Sequence, residues 1–277
     1  MIKEIGDGKI QLTLDEARWY FLADGTPCPS VTWILEHMPK GHWFYVWLAD
    51  KMQSYDEVRQ LMNDRGQEGS MAHWGMERYL LNETVNYTDE HPEFERGFTP
   101  REWEMVLAGK RWCDKYEPVV KWIEVPVFGE VPGNYGGTVD MIVLIDGEKF
   151  AYSEGRGKEK KMVFPYGEGQ VQFMGDWKTS QAIYDSHKAQ VAAYGVAVSG
   201  TELDVSSIGI IRLGSKHKVG YEFWHGNYRD AQAYKKLFDA AYTFWQHFNP
   251  NPAPKIVEVP MAISQKEEAP DDREETL

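Results

Sequence analysis

The stretch Gly136-Gly137-Thr138-Val139-Asp140-Met141-Ile142-Val143-Leu144-Ile145 is apolar at nearly every position. A strand sustains such a run only when both of its faces are covered. It therefore belongs inside a sheet with helices on either side, which fits an α/β architecture better than a barrel or a sandwich. One residue breaks the run. A carboxylate at Asp140 costs several kcal/mol in that setting unless it is paired or coordinates a metal.

The surrounding pattern supports this placement. Lys9 to Leu14 and Arg18 to Leu22 alternate like the two strands of an N-terminal hairpin, with Asp24-Gly25 as the next turn. Ser30 reads as an N-cap, and helices are predicted over 31–38, 43–52 and 56–81. Thr99-Pro100-Arg101-Glu102 joins a Thr cap, a Pro at the first helical position and a Glu three residues after the cap, a capping box that opens a helix to Tyr116. Strands are predicted over 121–128, 137–145, 149–152 and 171–178, a helix over 184–198, strands over 206–213 and 219–224, and a helix over 228–248 capped by Asn227. The expectation is an αβββαβ order with a mixed central sheet flanked by helices. One domain over 1–250 is the economical reading, comprising a helical part over 27–118, the sheet over 119–225 and a last helix over 227–248. Beyond the breaker run at 249–254, residues 251–277 read as a flexible acidic tail whose partner is left open.

Charge and cysteine content narrow the function. The formal net charge of -13 repels polyanions, so any nucleic-acid contact needs a local basic patch or bound cations. Two cysteines, Cys28 and Cys113, cannot build a disulfide framework, a four-thiolate zinc site or a four-cysteine cluster. With no secretory h-region in the first residues and no apolar run near the ~18 residues of a membrane span, a cytoplasmic protein without a membrane partner is expected.

Asp140 is not the only polar side chain where packing does not ask for one. Asp176-Trp177-Lys178 puts two charges two residues apart on a strand, so both project from one face. Two carboxylates and a backbone carbonyl make a hard oxygen cage for Mg²⁺ or Mn²⁺, and an adjacent ammonium can orient or deprotonate an attacking water. His73 stands in a predicted helix. The bland reading of these residues is a structural ion pair within a strand and a satisfied helix histidine.

Gly-Gly-Thr-x-Asp at 136–140, Asp-x-Lys-Thr-Ser at 176–180 and Gln190-x-x-x-Tyr194 together resemble the PD-(D/E)XK nuclease superfamily, in its RecB-like and phage exonuclease branch. Upstream, Pro29-Ser30-Val31-Thr32-x-Ile34-Leu35 resembles the Pro-Ser-Val-Thr opening of phage members, and Gly66-x-x-Gly69-x-x-x-His73 resembles the branch's histidine motif. The resemblance spans residues 27–200. It implies a restriction-endonuclease-like core and a metal-dependent DNA nuclease, an exonuclease of phage replication or recombination located in the host cytoplasm. It further implies Asp140, Asp176 and the Trp177 carbonyl as Mg²⁺ or Mn²⁺ ligands, Lys178 as the catalytic lysine, and His73 as a metal ligand or phosphate-positioning residue. Gln190 and Tyr194 would line the site and contact DNA, linear duplex or single-stranded. Glu77, one turn after His73, is a candidate ligand of a second cation, and Glu124 an outer acidic partner.

The sequence also departs from the pattern. Residues 153–170 lengthen the connection between the two aspartates and carry Arg156, Lys158, Lys160 and Lys161, which could lie over a DNA strand. The cysteines that hold an iron–sulfur cluster in some relatives are missing, so no cluster is expected. Trp19, Trp33, Trp43 and Trp47 are read as core rather than as a stacking surface. Two other classes stay open: a non-catalytic binding module on the same fold, and a glycosidase using Asp140 and Asp176, which leaves Lys178 without a role. Exonuclease or endonuclease action, DNA or RNA preference and homo-oligomer formation stay open as well.

Overall fold

Long alternating segments assemble the centre of the structure, a computed structural model that describes residues 2–14, 17–41, 45–46, 49, 54–154, 161–214 and 216–254. Strands β5 (Val119–Gly129), β6 (Tyr135–Asp146), β9 (Gln170–Lys178), β10 (Ser207–Leu213) and β11 (Tyr221–Asn227) form a five-stranded sheet in the order β11-β10-β9-β6-β5. Only β9 and β10 run parallel, joined through helix α4 (Asp185–Ala197); the other pairs are antiparallel. The chain is thus a mixed α/β protein whose mixed sheet is flanked by helices.

Two apolar layers cover the sheet. On one face Val31 and Ile34 of α1 (Val31–Leu35), Val191 of α4, and Phe238 and Trp245 of α5 (Tyr228–Phe248) meet Val139 and Ile142. On the other, Met71 and Met76 of α2 (Tyr55–Leu80) and Met105 and Trp112 of α3 (Pro100–Tyr116) meet Met141, Val143 and Ile145. Both layers press on β6, which accounts for its apolar run.

Several boundaries differ from the sequence reading. The N-terminal hairpin is the middle of a four-stranded sheet, β1 (Ile2–Glu4), β2 (Ile10–Thr13), β3 (Arg18–Phe21) and β4 (Pro27–Pro29), where β4 is too short and proline-rich to read as a strand by alternation. The helix predicted over 31–38 stops at Leu35, ahead of Pro39, whose ring disfavours helical backbone in the residue before it. Residues 149–151 are not a strand, and only Tyr152 of the predicted segment lies in one, as the first residue of a short ribbon. Asp146 accepts the Glu148 N–H and opens a 3₁₀ turn over Gly147–Phe150, which buries Phe150 among Tyr116, Tyr166 and Phe173. The insertion read as a loop is a two-stranded ribbon, β7 (Tyr152–Glu154) with β8 (Lys161–Val163). Most of the helix predicted over 43–52, the ribbon tip with Arg156, Lys158 and Lys160, and the tail from residue 255 lie outside the described residues.

The capping box at Thr99 is present and does more than cap. Thr99 Oγ1 accepts the Glu102 N–H, and Glu102 Oε2 accepts the Thr99 N–H at 2.7 Å. Arg96 grips the same carboxylate through both of its terminal nitrogens, at 2.9 and 2.7 Å. Burial alone would raise the Glu102 pKa, but Arg96 and the Thr99 N–H outweigh it, and the net shift is downward from 4.5. A carboxyl whose folded pKa is depressed adds stability above its unfolded pKa and loses it as pH falls through the folded value. Glu102→Ala should therefore lower unfolding free energy in urea by about 2 kcal/mol near neutral pH. Against Glu102→Gln, the wild-type advantage should be full above pH 4.5 and vanish in more acidic buffer.

Candidate active site

Asp140 sits where the sheet forks. The β6–β9 ladder ends at Met141↔Gly175, whereas β9 continues beside β10 to Lys178↔Arg212. The next N–H of β9 is not left unpaired: Trp177 donates to Asp140 Oδ2 at 2.7 Å, a side chain taking the place of a backbone acceptor. On the other side of β6, the pairs Ile123↔Met141 and Val125↔Val139 put Glu124 opposite Asp140, and Glu124 is held at φ 51, left-handed backbone that a non-glycine residue adopts at a cost of about 1 kcal/mol or more. Alternation inverts here. Val139 and Met141, two residues apart, belong to opposite apolar layers.

The inversion lets groups from both faces meet. From α2, His73 Nδ1 lies 3.4 Å from Asp140 Oδ2. From α4, Gln190 Nε2 donates to Asp176 Oδ1 at 3.3 Å and stands equally far from the Tyr194 hydroxyl. Lys178 Nζ is 2.5 Å from Asp176 Oδ2. Oδ2 is fully buried, and the Lys178 ammonium is its one close polar partner among the described residues. His73, Asp140, Asp176, Lys178, Gln190 and Tyr194 are therefore gathered at one place.

The glycines of the motif have a packing reason. A Cβ on Gly137 would fall 2.2 Å from Tyr194 Cε1, and one on Gly136 would fall 2.6 Å from Tyr20 Cγ. Their bare backbone lets Tyr194 of α4 and Tyr20 of β3 lie directly on β6, where the Tyr20 hydroxyl meets Thr138 Oγ1 at 3.0 Å. Gly69 likewise brings α2 close to Thr179, whose Oγ1 would stand 3.3 Å from an added Cβ; at Gly66 an added Cβ meets nothing.

Negative charge dominates the site. Burial first, then the Asp140 and Glu77 carboxylates, push the Glu124 carboxyl up to about 8. Burial raises Asp176 as well, opposed by Lys178 and reinforced by Asp140. Glu77 thus acts on the site through Glu124. Among the described residues no three His, Cys, Asp or Glu side chains are close enough to form a metal cage by themselves. Mg²⁺ does not need one: it keeps several waters and is typically held by one or two carboxylates together with substrate phosphate. A buried carboxylate oxygen met only by the Lys178 ammonium, beside a second carboxylate, fits that requirement.

The ribbon is rooted at the far end. Its base adjoins the Asp146↔Gln170 pair, six residues from Asp140 and Asp176 along each strand, or about 20 Å. His187 is the residue that sequence reasoning passed over. It shares the α4 stripe of Gln190 and Tyr194 at a spacing of i, i+3, i+7, and that spacing was the available signal. Neither a protein-family model nor a curated protein matches the chain.

Gly137→Ala should displace Tyr194 and cost roughly 1–3 kcal/mol by overpacking, although it touches no charged group. Thermal unfolding compared with Gly66→Ala, where an added methyl meets open space, checks it; equal melting points would contradict the packing reason.

Proposed function

We propose that the chain is a metal-dependent nuclease with a restriction-endonuclease-like core, hydrolysing DNA phosphodiester bonds. The observation that carries this reading is the buried Asp176 carboxylate, paired with Lys178 along one strand and set beside Asp140 across the fork. The order α3-β5-β6-β9-α4-β10 supports it, since it is the αβββαβ arrangement that the motifs imply. Resemblance to the phage exonuclease branch favours attack at the ends of linear DNA.

Asp140 and Asp176 would hold Mg²⁺ or Mn²⁺, which supplies positive charge beside the scissile phosphate and lowers the pKa of the attacking water. The residues of the chain divide the remaining work. The Trp177 N–H fixes Asp140, and Gln190 fixes Oδ1 of Asp176. Lys178 orients the water for in-line attack and faces the charge that builds on the phosphoryl oxygens. Water adds to phosphorus as the ester P–O bond breaks, leaving a phosphomonoester and an alcohol. His73, against Asp140, stands where it can contact the phosphate from the α2 side. An Asp176 so deeply buried and ion-paired is poorly placed to serve as the acid or base of a glycosidase cleft.

Purified protein incubated with end-labelled linear and closed circular DNA in Mg²⁺, in Mn²⁺ and in chelator tests the proposal. Metal-dependent loss of the linear form is expected, reduced roughly 10²–10⁴-fold by Asp176→Ala or Lys178→Ala with folding retained. Cutting of circles would make the enzyme an endonuclease. Absence of cleavage in every condition would leave a binding module.

A further inference from the structure

His187 is in the third position of α4, and its side chain has two distinct ends. The backbone N–H of Tyr184 donates to Nδ1 at 3.3 Å, so Nδ1 carries no proton and the neutral ring bears its hydrogen on Nε2. Among the described residues Nε2 has no hydrogen-bond partner, and the residue is half-buried rather than sealed in the core. Its direction follows from the helix. Gln190, one turn on, reaches Asp176, and α4 returns antiparallel to β9 after a short connection. His187 therefore comes abreast of Lys178, the next residue on the Asp176 face.

We propose that His187 is a second contact to the substrate, donating Nε2–H to a non-bridging phosphate oxygen beside Lys178. The inference rests on the nuclease reading above and names a further residue of that same site. An imidazole that donates without a charge suits this position. A second cation here would compete with Lys178 for Asp176, whereas a neutral donor adds a hydrogen bond to the phosphate and leaves that ion pair intact. Burial first, and then the ammonium of Lys178, hold the ring's pKa down to about 4, while Asp176 opposes and Lys40 reinforces the shift. The ring is thus uncharged near neutral pH.

The competing explanation is that His187 serves only as a cap, taking the N–H of the residue that precedes α4. Two substitutions separate the roles. His187→Ala removes cap and donor together; His187→Gln keeps an acceptor for the Tyr184 N–H and a donor for the phosphate. Each variant is compared with wild type in three measurements: the melting point, kcat/KM for Mg²⁺-dependent hydrolysis of a short end-labelled duplex well below that melting point, and binding of the same duplex with Ca²⁺ in place of Mg²⁺ by fluorescence anisotropy. Loss of about tenfold or more in kcat/KM and in affinity is expected for His187→Ala, the size of a hydrogen bond to a charged group, with most of both recovered in His187→Gln. A His187→Ala enzyme that stays within twofold of wild type in kcat/KM and in affinity, whatever its melting point, overturns the proposal. Wild-type protein that cleaves nothing, while His187→Ala still binds about tenfold more weakly, overturns the nuclease reading and leaves the phosphate contact standing. No cleavage and no difference in binding overturns both.

Discussion

The hydrogen bond from the Trp177 N–H to Asp140 Oδ2 holds the site together. A sheet that forks exposes backbone donors in its interior, and an unpaired N–H there costs about as much as a lost hydrogen bond. Asp140 answers that need with its side chain, at 2.7 Å, so the same carboxylate that is proposed to hold the metal also makes the fork tolerable. Structural and chemical demands coincide on one atom. The Trp177 ring, buried edge-on against Trp112, secures the other end of the arrangement.

Because side-chain alternation inverts at the fork, the two aspartates are served from opposite faces of the sheet. His73 approaches Asp140 from α2, while Gln190 approaches Asp176 from α4. In a regular sheet, groups on opposite faces are separated by the sheet itself. Here the strands part and the two sets converge. The glycine pair at 136–137 has a supporting role, since only bare backbone lets Tyr20 and Tyr194 lie against β6 beside the opening.

Much of this was legible in the sequence, for identifiable reasons. Asp140 was found because a charge inside an apolar strand is conspicuous, and Asp176 with Lys178 because period-two spacing puts both on one face. The Thr99 capping box could be read because its pattern is local. Elements whose cause is not local were missed: β4 pairs only because β3 is beside it, and the turn at 147–150 replaces a predicted strand because Phe150 finds an aromatic cluster drawn from distant segments. Glu124 was noticed, but its left-handed backbone was beyond reach, being imposed by pairing on both sides with a strand that kinks.

The electrostatics of the fork bear on how a chain of net charge -13 would meet a polyanion, as the proposed function requires. Burial, Asp140 and Glu77 raise the proton affinity of Glu124, opposed by Lys3 and Arg18 of the small N-terminal sheet; burial and Asp140 raise that of Asp176, opposed by Lys178 and His73. Left alone, such a cluster repels phosphate. On the proposed reading, a divalent cation at Asp140 and Asp176 would reverse the sign of the local field and weaken the Asp140 contribution to the Glu124 shift, leaving burial as its main cause. Recognition of the substrate, on that reading, depends on the metal, because the carboxylates that would hold the cation repel the phosphodiester without it.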